Sequence, residues 1–487
     1  MKKQGKKKDL QFAKLLRRFS FCLVIGYILA SILFFILAGE QLRLRNSRGN
    51  MQLPTADSGT VELFVGNCVE QYFTLKIQRL EKISVQWGTY YRPNMGTVVM
   101  ELYDMRSATL LLQESFDAST ITEGGLTTMS AETPLEGLYD IPLMLRIYSP
   151  DGQAGSVPSP LMNVQTAEKE NGLVLNGEQV PGVLCFAASG TDYIWTGLHY
   201  WEFVGVGLVI LLSCNVLTYF RWKKGKHSYV INAIAAMQKY QFLIGQLVSR
   251  DFKTKYKRSV LGIFWSFLNP LLMMLVQYFV FSTIFKSDIE NYPVYLLIGI
   301  VCFNFFSEAC SMSLGSILSN ASLITKVYVP KYIYPLTRVM SSVINLGISL
   351  IPLLLVCILT GVEFHKSTLL GIYFLFCIVV FSLGLGILLS SAMVFFRDTQ
   401  FLWNVFSMVW MYATPIFYPE SILPEQFLFV FNINPLYYFL KSIRMCVLDG
   451  ISPEPFVYFQ CFVMAVGMLL IGAAVFYKSQ DKFILYL

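Results

Sequence analysis

The sequence predicts a polytopic α-helical membrane protein that carries a β-sandwich domain between its first two spans. Three observations lead there. Apolar residues make up 55% of the 487 residues and charged residues only 14%, against about 25% charge in ordinary soluble chains. Charge-poor runs of spanning length recur along the chain, each near the ~20 residues a bilayer requires. The net charge of +7 is also unevenly spread: residues 1–18 hold eight Lys and Arg, whereas residues 39–200 hold 10 basic and 18 acidic side chains. Membrane sidedness explains that split better than nucleic-acid binding, because Lys and Arg collect on cytoplasmic flanks. A soluble enzyme, a disulfide-rich secreted module and a coiled coil do not fit this composition, and an aromatic content of 15% does not fit a disordered scaffold.

Each element follows in order. A basic cytoplasmic tail, 1–18, precedes an uncharged run at 19–38, about 30 Å of helix. A signal peptide is the competing reading, but its apolar core is about 7–15 residues, so this run reads as a retained span. The second span is 201–220, closed by Arg221, Lys223, Lys224 and Lys226. Between them, 39–200 alternates polar and apolar residues around 82–87, 97–103, 109–116 and 142–148, with Gly, Pro, Asn and Asp as punctuation. Short strands so spaced predict an external antiparallel sandwich. The polar, Gly-rich stretch 163–179 reads as loops or a hairpin.

A cytoplasmic linker and amphipathic helix fill 221–258, where Ile231, Ile234, Tyr240, Leu243, Leu247 and Val248 recur at helical spacing. Such a helix lies in the interface plane. Its Arg250, Lys253, Lys257 and Arg258 are either a topogenic basic flank or a site for an anionic headgroup. In 259–487, charge-poor runs at 261–285, 292–318, 336–360, 369–396, 401–418 and 456–477 predict six spans, eight in all, with both termini cytoplasmic. The segment 421–449, broken by Pro424 and Pro435, predicts an external or re-entrant pair of short helices.

No phosphate loop, metal-ligand spacing or nucleophile elbow occurs, so the chain is read as a non-enzyme without metal or bound cofactor. Glu308 inside an apolar run is a functional candidate by default, or else a structural ion pair. Trp403, Trp410, Tyr412, Phe417 and Tyr418 are an interface belt or the lining of a channel or gate. Cys68 and Cys185, near the two ends of the external domain, read as a disulfide or as two buried thiols. Trp87, Tyr90 and Tyr91 are sugar-platform candidates if exposed, and sandwich core or turn residues otherwise.

The segment carrying Arg250, Asp251, Tyr256, Ser259, Leu261-Gly262, Trp265 and Pro270 resembles the membrane subunit of a type-2 ABC exporter for polysaccharide, O-antigen or teichoic acid. Residues 320–330, Arg397-Asp398, 414–419, and Asn434-Pro435 with Arg444 extend the resemblance in register to most of 230–487. It implies a six-span type-2 permease module that forms a homodimer. It implies a separate ATPase subunit, in two copies, that carries ATP and Mg and docks on the loop bearing Leu323, Ile324 and Lys326. The implied cargo is a glycan or polyol-phosphate polymer on an undecaprenyl diphosphate carrier, and the implied location is the bacterial plasma membrane. Within that frame Arg250, Lys253, Lys257 and Arg258 are expected to hold the carrier's diphosphate at the entrance. The first 230 residues depart from the pattern. A type-2 permease for another lipid or a drug, and a membrane-anchored carbohydrate receptor, are the competing functions.

Overall fold

The computed structural model describes residues 2–49, 53–165, 172–224, 229–257, 261–285, 291–326, 329–420 and 428–486. The chain divides into two compact units: residues 43–198, and residues 1–42 together with 199–487.

The first unit is a β-sandwich. Its strands are β1 (Leu44–Ser47), β2 (Ser58–Gly59), β3 (Cys68–Thr74), β4 (Arg79–Gly88), β5 (Thr97–Asp104), β6 (Thr109–Asp117), β7 (Leu126–Glu136), β8 (Pro142–Tyr148), β9 (Ser159–Asn163), β10 (Leu173–Leu175), β11 (Glu178–Val180), β12 (Val183–Leu184) and β13 (Phe186–Tyr193). One sheet runs β1-β13-β4-β9-β12, with β2 also on β9 and β7 also on β4; the other runs β11-β10-β3-β8-β5-β6. Alternation decides the faces. In β3 Val69 and Phe73 point inward, and in β8 Leu143, Leu145 and Ile147 do, while their neighbours point out. Residues two apart on a strand share a face. The 37-residue helix α1 (Lys2–Ala38) runs through both the basic tail and the first span, and the short helix α2 (Trp195–Leu198) closes the sandwich.

Two expectations are corrected here. Cys68 and Cys185 are both free. They sit on different sheets, Cys68 opening β3 and Cys185 beside β13, and the Cys68 Sγ accepts a hydrogen bond from Arg146 Nε at 3.3 Å. Burial pushes both thiols up, Cys185 to about 11. Trp87 is the second correction: it is wholly buried in the sandwich core. Tyr90 is half-exposed and Tyr91 is 92% exposed.

The loops beside Trp87 are fastened by carboxylates. Glu62 accepts from Gly155 N at 2.9 Å and pairs with Arg92 at 2.6 Å, and these two contacts, the backbone bond first, hold its carboxyl below the usual range. A depressed folded value contributes stability above the unfolded carboxylate value, about 4.3, and loses it as pH falls through the folded value. Glu62→Gln should therefore lower Tm near neutral pH and leave it little changed in acid, which flattens the acid limb of a Tm-against-pH curve. An acid limb unchanged by the substitution would contradict the assignment.

The second unit is helical: α1, α3 (Tyr200–Lys223), α4 (Tyr229–Tyr256), α5 (Phe264–Phe285), α6 (Tyr292–Leu314), α7 (Ala321–Lys326), α8 (Ile333–Leu359), α9 (Gly371–Phe395), α10 (Thr399–Tyr412), α11 (Leu428–Ile433), α12 (Pro435–Val447), α13 (Pro455–Ser479) and α14 (Phe483–Tyr486). Among the described residues, seven helices are long and apolar enough to cross a membrane. The expected crossing at 401–418 is the exception, because α10 stops at Tyr412 after 14 residues. Pro415 disfavours helix at the residue before it, and side chains of α6 and α12 capture the carbonyls that follow. Tyr292 donates to Phe417 O at 2.6 Å, Tyr295 to Tyr418 O at 2.9 Å, and Arg444 to Pro415 O at 2.6 Å and Ile416 O at 3.1 Å. Irregular backbone inside an apolar bundle persists only when its polar groups are so satisfied.

The two early spans pack together and belong to this unit. Ser20 donates to Asn215 at 2.8 Å, Tyr27 to Val204 O at 3.0 Å and Tyr200 to Ser31 O at 2.8 Å. Phe34 lies edge-on to Tyr458 of α13 at 4.7 Å, and Gln41 accepts from Ser452 N at 2.7 Å. The bundle core is α6 and α9, buried on most faces.

Candidate functional site

The helical unit carries a groove of about 730 Å³ at its basic end, lined from α4, α6 and α8 and the turn before α7. The amphipathic pattern of α4 builds its floor. Ile244 and Leu247 are buried against Ile317, Ile333 and Tyr334, which turns the polar residues near the end of α4 toward the groove. Asp251 is its fixed point. Its side chain is 3% exposed and lies between two guanidinium groups, Arg250 at 2.9 Å and Arg338 at 3.2 Å. Arg250 also reaches Asn320 Oδ1 at 3.3 Å, and Asn320 is held by its own bond to Ser316 O at 2.8 Å. One turn along α4, Lys255 pairs with Glu308 at 2.8 Å. Glu308 accepts in turn from Asn345 Nδ2 at 2.7 Å. The groove thus holds three cations and two carboxylates. A second groove of about 550 Å³ continues past Arg250 to Lys253 and Lys257.

The sequence reading fits this geometry unevenly. Arg250, Lys253 and Lys257 come together around the second groove, and Arg258 lies outside the described residues. Arg250 is partly committed to Asp251 and Asn320, so its role is structural as well as anion-facing. Asp251, Lys255, Asn320 and Arg338 were not singled out for this site. Their sequence signal is the Arg-Asp pair and the basic residue Arg338 in the first turns of α8, but which cation meets which carboxylate is decided between helices. Glu308 is resolved as an ion-pair partner on the groove wall.

The loop expected to meet an ATPase needs correction at Ile324, which is buried in its own chain beside Val329 and Phe483. Leu323 is half-buried, and α7 exposes Ser322, Thr325 and Lys326 instead. The aromatic candidates also divide. Trp403 is buried, donating to Ser311 Oγ at 2.9 Å, and Phe417 is buried and stacked on Phe281 at 5.5 Å. Both are packed within the bundle of this one chain. Trp410 is tied to Asn434 Oδ1 at 2.7 Å, Tyr418 donates to Tyr412 O at 2.7 Å, and Tyr412 itself is exposed on α10.

At the other end of the bundle Arg444 is buried, with its guanidinium 3.4 Å from the Tyr295 ring centroid. Asn434 caps α12 by accepting from Leu436 N at 3.1 Å and donates to Thr414 Oγ1 at 2.8 Å. Lys441 and Glu420 pair there at 2.8 Å beside a cavity of about 360 Å³.

Both ends of the bundle fall inside one family match. Residues 242–448 match the ABC-2 type transporter family. The chain is 30% identical over 244 residues to the O-antigen export system permease protein RfbA of Klebsiella pneumoniae, covering 50% of this chain and 93% of that protein. The chain belongs to the ABC-2 type transporters. Other relatives of this ABC-2 permease part are the O-antigen export system permease protein RfbA of Myxococcus xanthus, 27% identical over 52% of this chain and 98% of that protein, and the polysialic acid transport protein KpsM of Escherichia coli, 22% identical over 48% and 92%. These matches leave about half of this ABC-2 protein uncovered, and the family model begins within α4, beyond the sandwich.

Proposed function

We propose that this ABC-2 protein is the membrane subunit of an ATP-driven exporter that moves a polysaccharide, delivered on a lipid diphosphate carrier, outward across the bacterial plasma membrane. It works as a homodimer with two copies of a separate ATPase subunit, which supplies the ATP and Mg chemistry. Both termini of the chain are cytoplasmic. The observation that carries the reading is the groove pair at the end of α4, where Arg250, Lys253, Lys255 and Lys257 gather on a helix of interfacial character. Relatives that export O-antigen and capsular polysaccharide support the cargo. Charge-assisted bonds to phosphate oxygens are about twice as strong as neutral ones, and Lys253 and Lys257 are exposed to make them. The ATPase meets the exposed face of α7 through Lys326.

The experiment is complementation of a deletion strain with Lys253→Gln/Lys257→Gln. Surface polymer should fall at least tenfold while the ATPase still copurifies. Lys326→Glu should show the reverse order, losing the ATPase first. Unchanged polymer in the first variant at normal expression would reduce these lysines to topology signals, and ATP hydrolysis by the chain without a partner would overturn the subunit assignment.

A further inference from the structure

The outward face of the six-stranded sheet is not a plain solvated surface. Strand register places Glu70 of β3 opposite Arg146 of β8, and Arg146 opposite Glu101 of β5. Gln113 of β6 continues the row. Four adjacent strands about 4.8 Å apart make it about 14 Å long. The adjoining row on one side holds Tyr72, Met144 and Tyr103, and the one on the other holds Cys68, Tyr148 and Val99.

The side chains in these rows hold one another. Glu101 is 6% exposed, and its two oxygens accept from Tyr148 at 3.0 Å and Tyr103 at 2.9 Å. Tyr72 donates to Glu70 at 3.4 Å. Arg146 lies 3.7 Å from Glu70 and 5.4 Å from the Tyr148 ring, with 43% of its side chain open. A face serving only solvation needs no buried carboxylate to fix its tyrosines, because exposed Lys, Thr and Glu suffice there. Here rotamer freedom has been removed in advance, which lowers the entropy cost of binding a ligand.

We propose that this face binds a segment of uncharged polysaccharide. Arg146, Glu70 and Gln113 bond vicinal hydroxyl groups, and the rings of Tyr72, Tyr103 and Tyr148 receive the apolar faces of the sugar rings. Tyr offers a large contact surface with few rotatable bonds. Two carboxylates against one guanidinium leave the face net negative, so a polyanionic polymer is repelled. The proposal rests on the export reading for the nature of the ligand, and it moves the glycan site from the loop of Trp87, Tyr90 and Tyr91 to the sheet.

The test uses the full chain in detergent on immobilised polymers: dextran, mannan and galactan as neutral probes, polysialic acid and alginate as acidic ones. Retention on at least one neutral polymer is expected, with at least tenfold weaker retention on the acidic ones. Tyr103→Ala/Arg146→Gln should lower neutral-polymer retention at least tenfold, whereas Tyr91→Ala should leave it unchanged. Tyr103→Phe, which keeps the ring and the fold, should lose less than Tyr103→Ala. Retention unaltered by the double substitution, or stronger on the acidic polymers, overturns the proposal. Absence of retention on every probe, in a protein that still supports polymer export in cells, overturns it and leaves the export reading standing. Loss of both removes both.

Discussion

Gly472→Leu is expected to abolish accumulation of folded protein. Helices α9 and α13 cross where Gly384 and Gly472 face each other, and a Cβ on Gly472 would land on the Gly384 carbonyl. A Cβ on Gly384 would strike the backbone of Met468 and Leu469. Neither obstruction is a flexible side chain, so the helices themselves would have to part. Close approach of small residues is what packs helices in a bilayer, where no hydrophobic force separates helix from lipid. Overpacking a core ordinarily costs about 1–3 kcal/mol, and a clash of two backbones belongs above that range. Gly467→Leu, on the same helix with nothing within 4 Å of its Cβ direction, should be tolerated. The check is monodisperse yield and Tm in detergent. Equal yield and Tm for Gly472→Leu and Gly467→Leu would refute the packing argument.

Asp251→Ala should have the second-largest effect. The carboxylate is nearly sealed from solvent between Arg250 and Arg338, so its removal leaves two cations facing each other across the α4–α8 junction. Breaking a buried ion pair on one side costs about 3–5 kcal/mol. A lowered Tm is expected, together with weaker export, since α4 carries the basic groove. Adding Arg338→Met to Asp251→Ala should recover a large part of the Tm, because a packed apolar pair avoids the stranded charge. A double variant no more stable than Asp251→Ala alone would show that the junction is held by something else. Arg444, buried over Tyr295 and bonded to three backbone carbonyls, follows the same logic at the other end of the bundle.

The groove shows how far sequence reasoning reached. Arg250, Lys253 and Lys257 stand within eight residues at the end of α4 and just past it, and this local proximity was enough to bring them to one surface. Asp251 and Arg338 meet across helices separated by most of the chain's middle, and no local pattern encodes that meeting. Glu308 carried a signal, as an ionisable group in an apolar run, but its partner Lys255 did not stand out from the other lysines of α4. The aromatic residues were the least legible. Trp87, Trp403 and Phe417 are core, while Tyr103 and Tyr148 hold a sheet face through Glu101. A ring in a strand or helix reads alike in either setting until its neighbours are known.

The length of the apolar runs and the placement of Lys and Arg determined a membrane bundle, because spanning a bilayer depends on residues contiguous in sequence. Period-two alternation likewise determined a sandwich between the first two spans. Tertiary structure decided what these patterns leave open. It ended α10 at Tyr412, because side chains of α6 and α12 satisfy the carbonyls beyond it. It turned Ile324 inward, because α4, α8 and α14 supply apolar partners there. It kept Cys68 and Cys185 apart by assigning them to different sheets. Each of these outcomes is set by which surfaces meet, and meeting is a property of the packed chain that neighbouring residues in the sequence do not carry.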